Sequence, residues 1–184
     1  TSGLTAQEFT QSPAWQKLIA NQTNNTSTFI KRNRFEAYLF LDLRGDVLFS
    51  TTTGHLGTNI LQAFPNSKLS KEFRKTLISR QIAFSDSESA QTPTLENFSF
   101  FLVPIADDQG QPIGTAAIQL SLPEVMAPLI ELNGTLGQSG NVYLIGDDLV
   151  MRSNSLVSPE PTAMHKKVYT DEARLYLEHH TQLN

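Results

Sequence analysis

The order of helical and strand-like segments is the feature that most limits the folds open to this chain. A helical segment comes first, then two strands, an inserted helix and three more strands. The inserted helix is predicted from the four-residue spacing of Leu69, Phe73 and Leu77. The strands are apolar or aromatic runs bounded by polar turns, and they are predicted at 35–42, 47–52, 82–85, 98–105 and 113–122. This order predicts an α+β fold with one five-stranded antiparallel sheet and flanking helices.

Two helix starts precede the first predicted strand. Thr5 and Glu8 have the spacing of a capping box, and Ser12 followed by Pro13 begins a second helix. The polar stretch 21–28 interrupts the helical pattern and predicts a loop. We therefore expect an N-terminal helical segment over 1–34, followed by a first sheet module over 35–122.

A strand–turn–strand pattern at 141–154 repeats the one at 38–51, about a hundred residues earlier. A connecting helix and turn are predicted over 123–140, and a helical stretch is predicted from 162 to about 180. No third, fourth or fifth strand follows, and a half-sheet with open edges is unstable alone. We therefore expect 141–184 to be an incomplete second module and the natural protein to continue beyond Asn184.

Composition excludes several classes of function. The net charge of −4 and the scattered Lys and Arg residues argue against nucleic-acid binding, which needs a basic face. The absence of cysteine excludes disulfides, thiol catalysis and cysteine-bound zinc. No run approaches the roughly 18 apolar residues of a membrane span, so we expect any membrane anchor to lie outside this sequence.

Three motifs approach known catalytic or metal sites without completing them. The run 137–141 reads G-Q-S-G-N, in which Asn141 replaces the last glycine of a nucleophile elbow. His179 and His180 are adjacent, so on a helix their side chains point about 100° apart and cannot chelate one ion. The acidic pairs of the two hairpin turns lack the further ligands of a calcium loop. We therefore assign no catalytic residue, no metal ligand and no cofactor.

The segment 137–155 resembles a phrase of double Cache sensor regions, which are PAS-like. The common form of that phrase reads G-E-T-G-E-x-Y-L-V-G, followed by D-x-L-M-R-S-x-S, and this chain has G-Q-S-G-N-V-Y-L-I-G and D-L-V-M-R-S-N-S. The stretches 57–61 and 82–86 are similar to the first module of the same family, and 12–16 is similar to the helix that leads into it. The resemblance runs from about residue 12 to 177.

This resemblance implies the extracytoplasmic ligand-sensing domain of a bacterial transmembrane signalling receptor. It implies that the chain is the periplasmic or extracellular portion of an inner-membrane protein. The cytoplasmic output of that protein would be of the chemoreceptor, histidine kinase or nucleotide cyclase type. The sensor region itself is not expected to be an enzyme. The resemblance implies that a small molecule of unspecified class binds the first, membrane-distal module. It also allows the domain to form a homodimer. The Arg-x-Trp-Tyr run of amino-acid-binding members is absent, since Arg80 is followed by Gln81 and Ile82.

Six residues of the first module are candidate ligand contacts. Each is a polar or aromatic residue on or beside an apolar strand, or a cation on the inserted helix that would pair with an anionic ligand. They are Tyr38, Arg74, Ser85, Asp86, Phe101 and Thr115. The alternative is a structural or dimerisation module whose pocket is filled by Phe and Leu side chains, which the eleven Phe residues would allow.

Overall fold

The computed structural model describes residues 5–52, 54–88, 98–120, 140–155 and 157–181. The chain divides into two compact units, Thr1–Ser121 and Leu122–Asn184. The finer boundaries expected at 34 and 140 remain predictions. In the part of the chain that the structure describes, none of the helices combines the length and apolar character that a membrane span needs.

The first unit contains the sheet and most of the helices among the described residues. Its helices are α1 (Ala6–Gln11), α2 (Pro13–Arg32), α3 (Ile60–Ala63) and α4 (Lys68–Ser79). Its strands are β1 (Phe35–Leu41), β2 (Val47–Ser50), β3 (Ala83–Ser85), β4 (Ser99–Ala106) and β5 (Pro112–Leu120). The predicted order of helix, two strands, helix and three strands is therefore confirmed for the described residues.

The five strands form one antiparallel sheet in the order β2-β1-β5-β4-β3. The central strand β5 pairs with β1 through Leu39 and Ala117, and with β4 through Leu102 and Ala117. Because β1 and β5 are neighbours in space, the first hairpin of the sheet is joined directly to its last strand. The predicted α+β class with a five-stranded antiparallel sheet is confirmed.

The sheet has two chemically different faces. Directly paired residues lie on the same side of a sheet, so strand alternation assigns each position to one face. The inner face packs against α3 and α4 and carries the buried apolar core: Ala37, Leu39, Leu41, Phe100, Leu102 and Ala117, with Ile60, Leu69 and Phe73 from the helices. The outer face carries Tyr38, Phe40 and Phe49, and α2 packs on β1.

The predicted loop at 21–28 is wrong, because α2 runs without interruption from Pro13 to Arg32. Ser12 caps the start of this helix by accepting a hydrogen bond from the Trp15 amide at 3.3 Å. The Trp15 indole then donates to the Leu48 carbonyl at 2.9 Å and so ties the helix to β2. Helix propensities of polar residues differ by only a few tenths of a kcal/mol, and tertiary packing readily outweighs them.

The second unit is less regular than the sequence predicted. Within the described residues, the expected strand pair near 141–154 is reduced to one isolated bridge, Ile145 to Met151, and a second isolated bridge pairs Val150 with Lys167. The C-terminal helix α5 (Asp171–Thr181) begins later than the predicted position 162. Thr170 marks its start by accepting a hydrogen bond from the Ala173 amide at 3.3 Å. Most of the connecting segment predicted at 123–140 lies outside the described residues.

Candidate functional site

The structure separates the six predicted contact residues. Tyr38 and Phe101 lie on the outer face of the sheet, whereas Ser85 and Thr115 lie on the inner face. Phe101 is 40% exposed and its ring contacts Phe84 at 5.5 Å between centroids. Four of the residues proposed for one pocket therefore sit on opposite sides of the sheet.

The centre of the inner face is filled by large side chains. Phe73, Phe100 and Leu102 are fully buried there, at 0% exposure. Phe100 stands between Ser85 on β3 and Gln119 on β5, since it pairs directly with both. The pocket that the sequence suggested between the sheet and the inserted helices is thus occupied by aromatic and aliphatic core.

Three polar side chains are nonetheless buried on this inner face. The oxygens Ser85 Oγ, Thr115 Oγ1 and Gln119 Oε1 have no hydrogen-bond partner among the described residues. The Gln119 Nε2 donates to Glu36 Oε2 at 2.7 Å, which turns Oε1 inward as an acceptor. Gln119 was missed as a site residue, although strand alternation already placed it on one side with Thr115 and Ala117. Buried polar oxygens normally have a hydrogen-bond partner, so these three are exceptions in an otherwise apolar core.

Asp86 and Arg74 have local structural partners. Asp86 Oδ2 accepts from Lys68 Nζ at 3.2 Å, and the neighbouring Glu88 Oε2 accepts from the Lys68 backbone amide at 2.7 Å. These contacts fasten the segment after β3 to the first turn of α4, where a carboxylate is favoured by the helix dipole. Arg74 is exposed, and its Nη1 donates to the Pro65 carbonyl at 3.1 Å. Both residues therefore contribute to the local packing of α4.

An open cleft lies on the other side of the sheet, between α2 and the outer face. This outer cleft has a volume of about 350 Å³ and is lined by Trp15, Leu18, Ile19, Gln22, Thr26, Phe29, Tyr38, Phe40 and Phe49. Tyr38 is the residue of the predicted set that lines it, and its ring packs against Phe49 at 6.0 Å between centroids. Burial raises the pKa of the Tyr38 hydroxyl, so this group stays neutral.

The Met-Arg-Ser phrase of the second unit has a structural role. The Arg152 side chain is 1% exposed, and its Nη2 lies 3.0 Å from Asp148 Oδ1. Its Nη1 donates to the Val150 carbonyl at 3.0 Å. A side chain at Gly146 would collide with the guanidinium group, so the glycine gives Arg152 room to fold back over the turn. These contacts hold the hairpin turn together.

We expect Arg152→Lys to destabilise the second unit by about 1–2 kcal/mol, because an ammonium group cannot replace both guanidinium contacts. Hydrogen exchange of the Val150 and Arg152 backbone amides measures this loss. Arg174→Lys, on the exposed face of α5, is the control and should leave the exchange unchanged. Equal protection in both variants would show that the buried guanidinium does not stabilise the turn.

Comparison with known proteins gives matches among solved structures only. No protein-family model and no curated protein matches the chain. An extracellular ligand binding receptor from Desulfohalobium retbaense is 12% identical to this chain, with a TM-score of 0.56. The match covers 83% of this chain and 26% of the receptor chain. The sensor domain of the Vibrio cholerae histidine kinase DctB is 13% identical to this chain, with a TM-score of 0.58. The match covers 98% of this chain and 64% of the DctB chain.

This chain therefore spans about a quarter of the first protein and under two thirds of the second. At these identities the two matches support a shared fold only. The double Cache resemblance predicted this class of fold, and the prediction is confirmed. The chain therefore has a PAS-like α+β fold.

Proposed function

We propose that this chain is the extracytoplasmic ligand-sensing part of a transmembrane signalling receptor and that its first unit binds a small molecule. The observation that carries the proposal is the fold, which this chain shares over 83% of its length with an extracellular ligand binding receptor and over 98% with a histidine kinase sensor domain. The outer cleft supports the proposal, because it offers a small molecule an open site between a helix and the sheet.

On this proposal, the parent protein is anchored in the inner membrane and presents this domain to the periplasm or the exterior. Any catalytic activity of the parent then belongs to a cytoplasmic output such as a histidine kinase or nucleotide cyclase, and the sensor itself only binds. A ligand acts by favouring one of two arrangements of the helices around the sheet, which requires different affinities for the two arrangements. Helix α2 forms one wall of the outer cleft and is the element that such a ligand would bias.

A structural or dimerisation module is the second candidate. The filled inner face favours it, since Phe73 and Phe100 leave no room at the centre of the expected pocket. The two candidates differ in whether a small molecule stabilises the folded first unit.

A thermal-shift screen against carboxylates, amino acids, amines, purines, sugars and neutral aromatic molecules tests the proposed sensing role. A ligand at about 100 times its Kd adds about 2.7 kcal/mol of stability. We expect one chemical class to raise the unfolding midpoint by roughly 5–10 °C. A clean cooperative melt that no class shifts would support the structural module instead.

A further inference from the structure

We infer that the outer cleft binds an uncharged, largely apolar molecule that carries one or two hydrogen-bonding groups. The inference rests on the proposed sensing function and gives it a site and a ligand class. It departs from the sequence-based expectation, which placed the ligand between the sheet and the inserted helices and included Arg74 as a partner for an anion.

The size and walls of the cleft suit a small molecule. Its volume of about 350 Å³ falls in the range of ligand pockets, which begins near 300 Å³. One wall is the α2 helix with Trp15 and Phe29, and the other is the sheet with Tyr38, Phe40 and Phe49. Aromatic side chains on both walls favour a flat apolar body, because ring pairs pack well in offset or tilted contacts.

The uncharged lining of the cleft disfavours the binding of ions. None of the nine described residues that line the cleft is charged. A carboxylate or ammonium ion placed there would lose hydration without gaining a paired charge, which is unfavourable. The carboxylates of Asp86 and Glu88 lie elsewhere, at the start of α4, where they accept from the side chain and the backbone amide of Lys68.

The polar groups of the lining limit the hydrogen bonds that a ligand can make. The Trp15 indole is committed to the Leu48 carbonyl, and the Thr26 hydroxyl donates to the Gln22 carbonyl at 2.9 Å. The Tyr38 hydroxyl and the Gln22 side-chain amide have no hydrogen-bond partner within the described ranges. These two groups can orient one or two polar atoms of a bound molecule.

The rim of the cleft is apolar and exposed to solvent. Leu18 is 57% exposed and Phe29 is 44% exposed, although both line the cleft. An apolar ligand between α2 and the sheet would cover part of these side chains and gain hydrophobic stabilisation from that burial. The proposed ligand class therefore fits the apolar surface of the cleft as well as its uncharged lining.

Trp15 provides a direct readout, because it lines the cleft and is the single tryptophan of the chain. The probes are benzyl alcohol, benzoate and benzylamine, which share one ring and differ in charge at neutral pH. We expect benzyl alcohol to change Trp15 fluorescence saturably, with a Kd at least about tenfold lower than that of either ion.

Three variants test whether benzyl alcohol binds in the outer cleft. Gln22→Glu adds a carboxylate to the lining and is expected to weaken benzyl alcohol binding about tenfold. Asn25→Asp adds the same charge to the same helix at an exposed position outside the lining, and it should leave binding unchanged. Tyr38→Phe removes only a hydroxyl group and is expected to weaken binding about three- to tenfold.

The outcomes separate this inference from the sensing function. Benzoate binding as tightly as benzyl alcohol, or an equal effect of Gln22→Glu and Asn25→Asp, would overturn the cleft and its ligand class. A ligand of another class that stabilises the fold without changing Trp15 fluorescence would also overturn the inference, while the sensing function would stand. Absence of any stabilising ligand in the screen would overturn both.

Discussion

Replacing Phe100 with alanine is expected to lower the free energy of unfolding of the first unit by about 3–5 kcal/mol. Phe100 is 0% exposed and lies in the inner-face core with Phe73 and Leu102. Removing its ring deletes buried apolar surface and leaves a cavity that the surrounding sheet and helix can only partly close. The neighbouring Phe101 is 40% exposed on the other face, so Phe101→Ala should cost less than about 1 kcal/mol.

Denaturant unfolding followed by Trp15 fluorescence measures both variants, since the single tryptophan reports on the first unit. The pair is well matched, because the same change is made at adjacent positions of β4 that point to opposite faces. Similar losses in the two variants would mean that Phe100 does not fill the centre of the inner face. In that case, core side chains would not fill the expected pocket.

The faces of β4 were predictable from the sequence alone. Alternation places Phe100 and Leu102 together and Phe101 on the opposite side, and the structure shows the same division. Such predictions succeed because the geometry of a strand fixes the side of each residue locally. The order of elements was predictable for a similar reason, since each strand and helix carries its own hydrophobic period.

The packing of α2 was not predictable in this way. Its contact with β2 joins the Trp15 indole to the Leu48 carbonyl, which lie 33 residues apart. The polar run 21–28 carries no local sign of that contact, so its composition indicated a loop. Tertiary packing determined the conformation, and with it the position of the outer cleft. The cleft was missed because six of its nine lining residues come from this helix.

The roles of individual candidate site residues were also only partly predictable from the sequence. Tyr38 was named from its strand position, and it lines a cleft whose other wall the sequence did not reveal. Asp86 was named as a polar residue beside the third strand and Arg74 for its charge, yet each contacts a neighbour in or near α4. Residue type alone does not distinguish a side chain that fastens a helix from one that contacts a ligand. Gln119 was identifiable from alternation, because a polar residue there falls on the buried side of β5.

Gly114→Ala is expected to lower the free energy of unfolding of the first unit by about 1–3 kcal/mol, as overpacking does in a filled core. An added Cβ at Gly114 would collide with the Leu41 backbone carbonyl and lie 2.8 Å from Cζ of the Phe40 ring. The backbone of β1 would have to move away from β5, which disturbs the pairing of these two strands. The nearby Ile113 is 46% exposed, and Ile113→Ala should change stability much less.

The same variant should also weaken binding in the outer cleft, because Phe40 lines that cleft and its ring must shift to admit the new methyl group. Denaturant unfolding gives the stability change, and a benzyl alcohol titration of the folded variant gives the binding change. A loss of stability with unaltered binding would show that β1 moves without displacing Phe40. Losses in both measurements would show that the close approach of β1 and β5 at Gly114 also sets the position of the aromatic wall against which the ligand packs.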